Sequence, residues 1–241
     1  MDAAASPPAV RLTALGDGLG LSHAGNAAVE EAFELGVLSC ATLAPVGPWL
    51  AEAAELLRDY PHWPVGLLLT LGCRAEGARW GPLAGAAAVP SLVRPTGDFW
   101  PELPATATEA DVERELRAQA ERARAWGVAP RFLSYDGAAH PAVETALSRL
   151  AAEAGVPVWP TPGQPQPLAL PDVPPGQLTE AVCAALAALT AGEYLWRTRP
   201  SQAAPEAWAL WGEDEAERRA AELRTLTSPA VRSALRERGI G

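Results

Sequence analysis

The chain contains no lysine: all 19 of its basic residues are arginine. That absence removes Schiff-base chemistry and the P-loop lysine from consideration. Basic charge is in short supply altogether, and the net charge is −10. Nucleic acid and anionic membrane surfaces are therefore excluded as main partners, since both need basic patches that release counterions. Cysteine is also scarce. Cys40, Cys73 and Cys183 are odd in number and far apart, with neither CxxC nor zinc-finger spacing, which suits core-filling thiols in a reducing compartment. No apolar run approaches the roughly 20 residues of a membrane helix, and no signal-peptide order is visible. The expectation is a soluble, cytoplasmic protein. Gly-x-Ser-x-Gly and a Gly-x-Gly-x-x-Gly in strand–helix context are missing as well, so nucleophile-elbow and dinucleotide-binding chemistry have no sequence support.

What is present describes one large domain. The 241 residues are 49% apolar, enough for a sizeable core. Residues 1–8 form an Ala/Pro tail, and 9–241 read as a single domain. Strand-like apolar runs at 10–14, 39–43, 65–71, 132–135, 156–159 and 194–197 alternate with helix-like runs. The helix-like runs lie at 28–35, 49–60, 109–126, 141–154, 178–190, 214–226 and 229–238. Apolar spacing of 3.6 residues carries the helices, punctuated by Gly36, Gly127 and Gly239 and by the Ser228-Pro229 start. This alternation predicts an α/β fold with a mostly parallel sheet, either closed as a barrel or open and doubly wound. A Gly/Pro/Trp-rich insertion at about 72–108 follows a strand, which in a barrel places it over the site-bearing face. The Pro-rich stretch 160–176 reads as a surface connector.

The segment Leu12-Thr-Ala-Leu-Gly-Asp17-Gly18-Leu-Gly-Leu-Ser22 resembles the Ala-Asp-Asp-Phe-Gly-Leu-Ser signature of the YdjC-like carbohydrate deacetylases. Pro64-Val-Gly-Leu-Leu-Leu-Thr-Leu71 is similar to that family's Gly-Leu-His-Leu-Thr-Leu strand. Val89-Pro-Ser-Leu-Val-Arg-Pro-Thr-Gly-Asp-Phe-Trp100 resembles its insertion, and Leu226-Thr-Ser-Pro-Ala-Val-Arg232 its C-terminal ending. The resemblance covers nearly the whole chain. It implies an irregular parallel (β/α) barrel, TIM-like, with Asp17, Leu68, Asp136 and Arg199 at the C-terminal strand ends around one pocket.

Family chemistry uses a divalent metal, such as magnesium or zinc, to activate the water that attacks an acetamide. Carried over position by position, that ligand set is depleted here. The second aspartate is Gly18, and the strand histidine is Leu68. The Ser-His-Gln-His-Val-His strand end reads Tyr135-Asp136-Gly-Ala138-Ala-His140, and His-Pro-Gly reads Arg199-Pro200-Ser201. Gly and Leu cannot coordinate and Arg repels a cation, so no bound metal cofactor is expected. The resemblance puts Asp17 at the catalytic general-base position. Asp136, His140, Arg199, Leu68, Gly18 and Trp100 are the expected pocket residues. Three readings follow: a degenerate homologue that binds a carbohydrate or anionic sugar; an active hydrolase rebuilt around Asp17, Asp136 and His140; or a non-catalytic interaction protein, with homo-oligomers open to each. Simpler roles stand beside these. Asp136 could be a solvated turn residue, His140 a cap ahead of Pro141, and His23 and His62 surface residues. Trp80, Trp100 and Trp196 could stack sugar rings or fill core. A last expectation concerns charge: Arg199, or less favourably Arg197, replaces the absent cation beside Asp17 or Asp136.

Overall fold

The computed structural model describes residues 10–161 and 165–240, so the expected tail at 1–8 lies outside the described residues. Six parallel strands are ordered β4-β3-β2-β1-β6-β5 and curl into a half-barrel with helices outside. They are β1 (Val10–Leu19), β2 (Cys40–Leu43), β3 (Val65–Leu69), β4 (Leu133–Tyr135), β5 (Gln166–Pro167) and β6 (Gly192–Thr198). The helices are α1 (His23–Glu34), α2 (Leu50–Asp59), α3 (Glu109–Ala125), α4 (Pro141–Ala154), α5 (Leu178–Ala188), α6 (Pro205–Trp211), α7 (Glu213–Leu226) and α8 (Pro229–Glu237). This is the irregular parallel β/α barrel architecture that the sequence leads one to expect.

Differences from the expectation have local causes. Helix α1 begins five residues earlier than its apolar run, because Ser22 caps it by accepting from the Gly25 N–H at 2.9 Å. The 156–159 run contributes a single bridge, Val158 to Leu133, rather than a strand. Pro157 within the run and Pro160 just after it have no N–H to give a ladder. The Pro-rich connector nevertheless supplies an edge strand, β5, against Tyr194 and Leu195 of β6. Helix α6, which the sequence reading does not anticipate, opens with Pro205 at its first turn and stops at Gly212.

Two cores position the site. A large cluster fills the space between sheet and helices, with Leu19, Val29, Leu43, Leu67, Leu116 and Leu226 among its fully buried members. A smaller one, Leu15, Cys40, Phe132 and Leu195, plugs the inside of the half-barrel. Phe132 occupies the space a side chain at Gly66 would need. Along β1, Leu15 lies in register with Cys40 and Asp17 with Thr42, so the next inward layer above this apolar plug begins with Asp17.

Candidate functional site

Asp17 points inward from the C-terminal half of β1 and is only 2% exposed. Both carboxylate oxygens are engaged. Oδ1 accepts from the Thr42 hydroxyl at 2.6 Å, and Oδ2 accepts from Arg197 Nε in a close ion pair. Arg197 reaches it from β6, where it stands in register with Leu15. Gly18 follows with φ +115, a conformation that L side chains rarely adopt.

Directly beyond β6, Arg199 donates through Nη2 to Asp136 Oδ1 at 3.2 Å, and Asp136 follows directly on β4. The Arg199 backbone N–H donates to Glu222 of α7 at 2.6 Å. Burial alone would pull the Arg199 guanidinium down, but Asp136, Asp17, Glu215 and Glu222 outweigh it and raise its pKa. Burial raises the Glu222 carboxyl. It also lifts the Cys40 thiol, with help from Asp17, to about 12, which makes Cys40 an inert core residue rather than a nucleophile.

Asp17, Gly18, Leu68, Asp136 and Arg199 line one pocket of about 280 Å³. His140 and Trp100 do not join them. His140 Nδ1 accepts from the Ala142 N–H at 3.3 Å and caps α4, while lining a smaller adjoining cleft. Trp100 is 40% exposed and away from the lining. Among the other aromatic candidates, Trp80 is at the wall and Trp196 is core. His23 is an exposed partner of Glu52 at 2.7 Å. The cation expectation is met by both arginines: Arg199, the favoured one, pairs with Asp136, and Arg197 pairs with Asp17.

Sequence reasoning missed the far wall. Trp211 closes α6, and Arg219 of α7 lays its guanidinium carbon 3.7 Å over the Trp211 ring while pairing with Glu215 at 2.8 Å. Trp80 meets Trp211 edge to face at 6.5 Å. The backbone of the insertion docks on α6 through the Gly77 N–H to Leu210 carbonyl bond of 3.1 Å. No local motif marks these residues, because their proximity depends on two separate loops meeting.

The insertion is held from behind by a buried polar ladder on α3. Asp111 accepts from the Ser91 N–H and hydroxyl. Glu115 accepts from the Leu83 and Ala84 N–H groups, and Gln119 pairs with both backbone groups of Thr70. Burial raises the Glu115 carboxyl above its usual range, against the lowering effect of Ala84, Gln119 and Leu83. The folded chain therefore holds that proton more tightly than the unfolded chain. The associated stability is full below about pH 4 and is lost as pH rises through the folded value. The stability advantage of the wild type over Glu115→Gln is expected to shrink as pH rises above the ordinary glutamate value of about 4. Urea titrations at each pH would measure it, and a pH-independent difference would contradict the shift.

A divalent metal does not fit these residues. The one acid at the family's motif spends both oxygens on Thr42 and Arg197, and Gly18 and Leu68 offer no side-chain lone pair. Among the described residues, no group of three or more His, Cys, Asp or Glu could hold a metal ion.

Comparison with known proteins agrees with the fold. Two curated carbohydrate deacetylases are similar to this chain. The Geobacillus stearothermophilus protein is 35% identical over 60% of this chain and 57% of its own length. The Halalkalibacterium halodurans protein is 30% identical over 52% of each. The chain thus matches little more than half the length of these relatives. A solved structure from Enterococcus faecalis V583, described as a candidate cellobiose-phosphate cleavage protein, superimposes with a TM-score of 0.82 at 21% identity. That superposition covers 96% of both chains. The profile of the YdjC-like proteins matches residues 11–237, and over that span the chain belongs to the YdjC-like family.

Proposed function

We propose that this protein is a carbohydrate-binding member of its family in which metal-dependent deacetylation has been silenced. The observation that carries this reading is the Asp17–Arg197 ion pair. An internal guanidinium sits on the carboxylate that the family motif would offer to a metal-bound water. A carboxylate with one oxygen held by a guanidinium and the other by a hydroxyl is not free to orient a metal-bound water. Retention of binding is supported by the pocket itself, whose wall pairs Trp80 and Trp211 with alternating carboxylates and guanidinium groups. Aromatic faces and forked polar groups together suit the apolar and hydroxylated faces of a sugar ring. A carbohydrate, neutral or anionic, is the expected ligand. The three cysteines are free thiols, which suits the reducing cytoplasm. No helix is long and apolar enough to cross a membrane among the described residues.

The test joins two measurements on the purified full chain. Chitooligosaccharides or other sugars are expected to raise the melting temperature, since a ligand that binds only the native state stabilises it. Zinc, magnesium and manganese are expected to leave it unchanged, with no acetate released from N-acetylated oligosaccharides. Metal-dependent acetate release abolished by Asp17→Asn would replace this reading with an active enzyme rebuilt around Asp17, Asp136 and His140. Failure of every sugar to bind would favour a purely interacting role.

A further inference from the structure

Two guanidinium groups on one side of the pocket have more donors than protein partners. Arg199 gives Nη2 to Asp136, and Arg219 gives Nε to Glu215. Among the described residues, Arg199 Nε and Nη1 and Arg219 Nη1 and Nη2 meet no protein acceptor within hydrogen-bond range, although both residues line the cavity. Arg219 is no solvated surface group, for its side chain is 9% exposed and its guanidinium is stacked on Trp211. Those donors are not among the buried unpaired atoms and open to the cavity, where an oxyanion across both forks would be held bidentately.

The other charges leave room for such an anion. Asp17 is committed to Arg197 and Thr42. Glu222 accepts from the Arg199 backbone N–H at 2.6 Å and hydrogen-bonds neither guanidinium. The charge of Arg199 works against that of Arg219, whose pKa is lowered chiefly by burial. Glu76 also lines the pocket, but its carboxylate lies against Gly212 at the start of α7. Arg219 stacks on the neighbouring Trp211 but forms no ion pair with Glu76, its carboxylate partner being Glu215. Beside the forks stands the Trp80–Trp211 corner, an apolar wall for the ring of the same ligand.

We propose that the pocket recognises a sugar carrying a carboxylate, a hexuronic acid, with the carboxylate bridging Arg199 and Arg219 and the ring against Trp80 and Trp211. This rests on the reading of the pocket as a carbohydrate site and narrows its ligand class.

Glucuronate and galacturonate, beside glucose, galactose and glucose 6-phosphate, are titrated into the full-length protein and followed by NMR. At least one uronate is expected to bind about tenfold more tightly than its neutral counterpart, with the difference diminishing as salt is raised. Arg219→Gln is expected to erase the preference without abolishing neutral-sugar binding. Arg219→Lys keeps the charge but not the fork, and is expected to recover only part of it. Equal binding of uronate and neutral sugar would overturn the proposal and leave the carbohydrate reading intact. Tighter binding of the phosphate than of either uronate would overturn the carboxylate assignment. Binding of none would overturn both. Should the Arg219 variants fail to fold, the wild-type comparison still decides between these outcomes.

Discussion

Arg197→Met is expected to lower the folding free energy by about 3 kcal/mol, the lower end of the range for breaking a buried ion pair. Asp17 is the vulnerable partner, because its side chain is 1% exposed while that of Arg197 is 31% exposed. Removing the guanidinium strands a buried carboxylate with one hydroxyl for company. Asp17→Asn/Arg197→Met is expected to regain most of the loss, since replacing both members of a buried pair is often close to neutral. Little hydrogen bonding disappears with the arginine itself, as its buried Nη2 has no partner. Urea denaturation of the two single variants and the double variant completes a thermodynamic cycle. Additive losses would mean that the pair is not coupled and that Arg197 does not compensate Asp17. Arg199→Met should cost less, because both that side chain and Asp136 reach solvent, at 42% and 30% exposed.

Gly77→Ala is expected to destabilise by about 3 kcal/mol, the upper end of the overpacking range. An added methyl at this position would overlap the carbonyl oxygen of Ala209. That oxygen belongs to the α6 backbone on which the insertion docks through Gly77 itself, so neither side can yield without parting the two segments. Because Trp80 and Trp211 lie on opposite sides of that seam, sugar binding should fall along with stability. Gly176→Ala is the control, having open space around it, and is expected to stay within about 0.5 kcal/mol of wild type. Thermal and urea unfolding of both would decide the matter. A Gly77→Ala protein as stable as the control would show that the seam is pliable.

Much of the architecture was legible because its signals are local. Helix α4 matches its apolar run from Pro141 to Ala154, and β1, β3 and β6 contain their predicted runs or nearly so. Failures gathered where a partner, rather than the segment, decides the structure. Gln166 and Pro167 form a strand only because β6 presents an open edge, and nothing in a Pro-rich stretch announces it. Asp17, Gly18, Leu68, Asp136 and Arg199 could be placed together because each sits at or just beyond a strand end. Trp211 and Arg219 could not, since their position depends on the insertion and α6 finding one another across the mouth. The division of the two carboxylates between Arg197 and Arg199 has a similar origin. Residue spacing places both near the end of β6, but only the inward turn of the strand at 197 carries that side chain to Asp17.

The left-handed backbone at Gly18 bears on how such a chain can change over time. An aspartate restored there would have to adopt φ +115, strained for any residue with a Cβ, and would arrive beside a carboxylate already claimed by Arg197. A histidine restored at Leu68 would replace a buried apolar side chain without a metal to hold it. Each substitution toward a metal centre is thus unfavourable alone and becomes useful only in company with the others. The backbone acts as a lock on the present site: building a metal centre here would demand several changes at once.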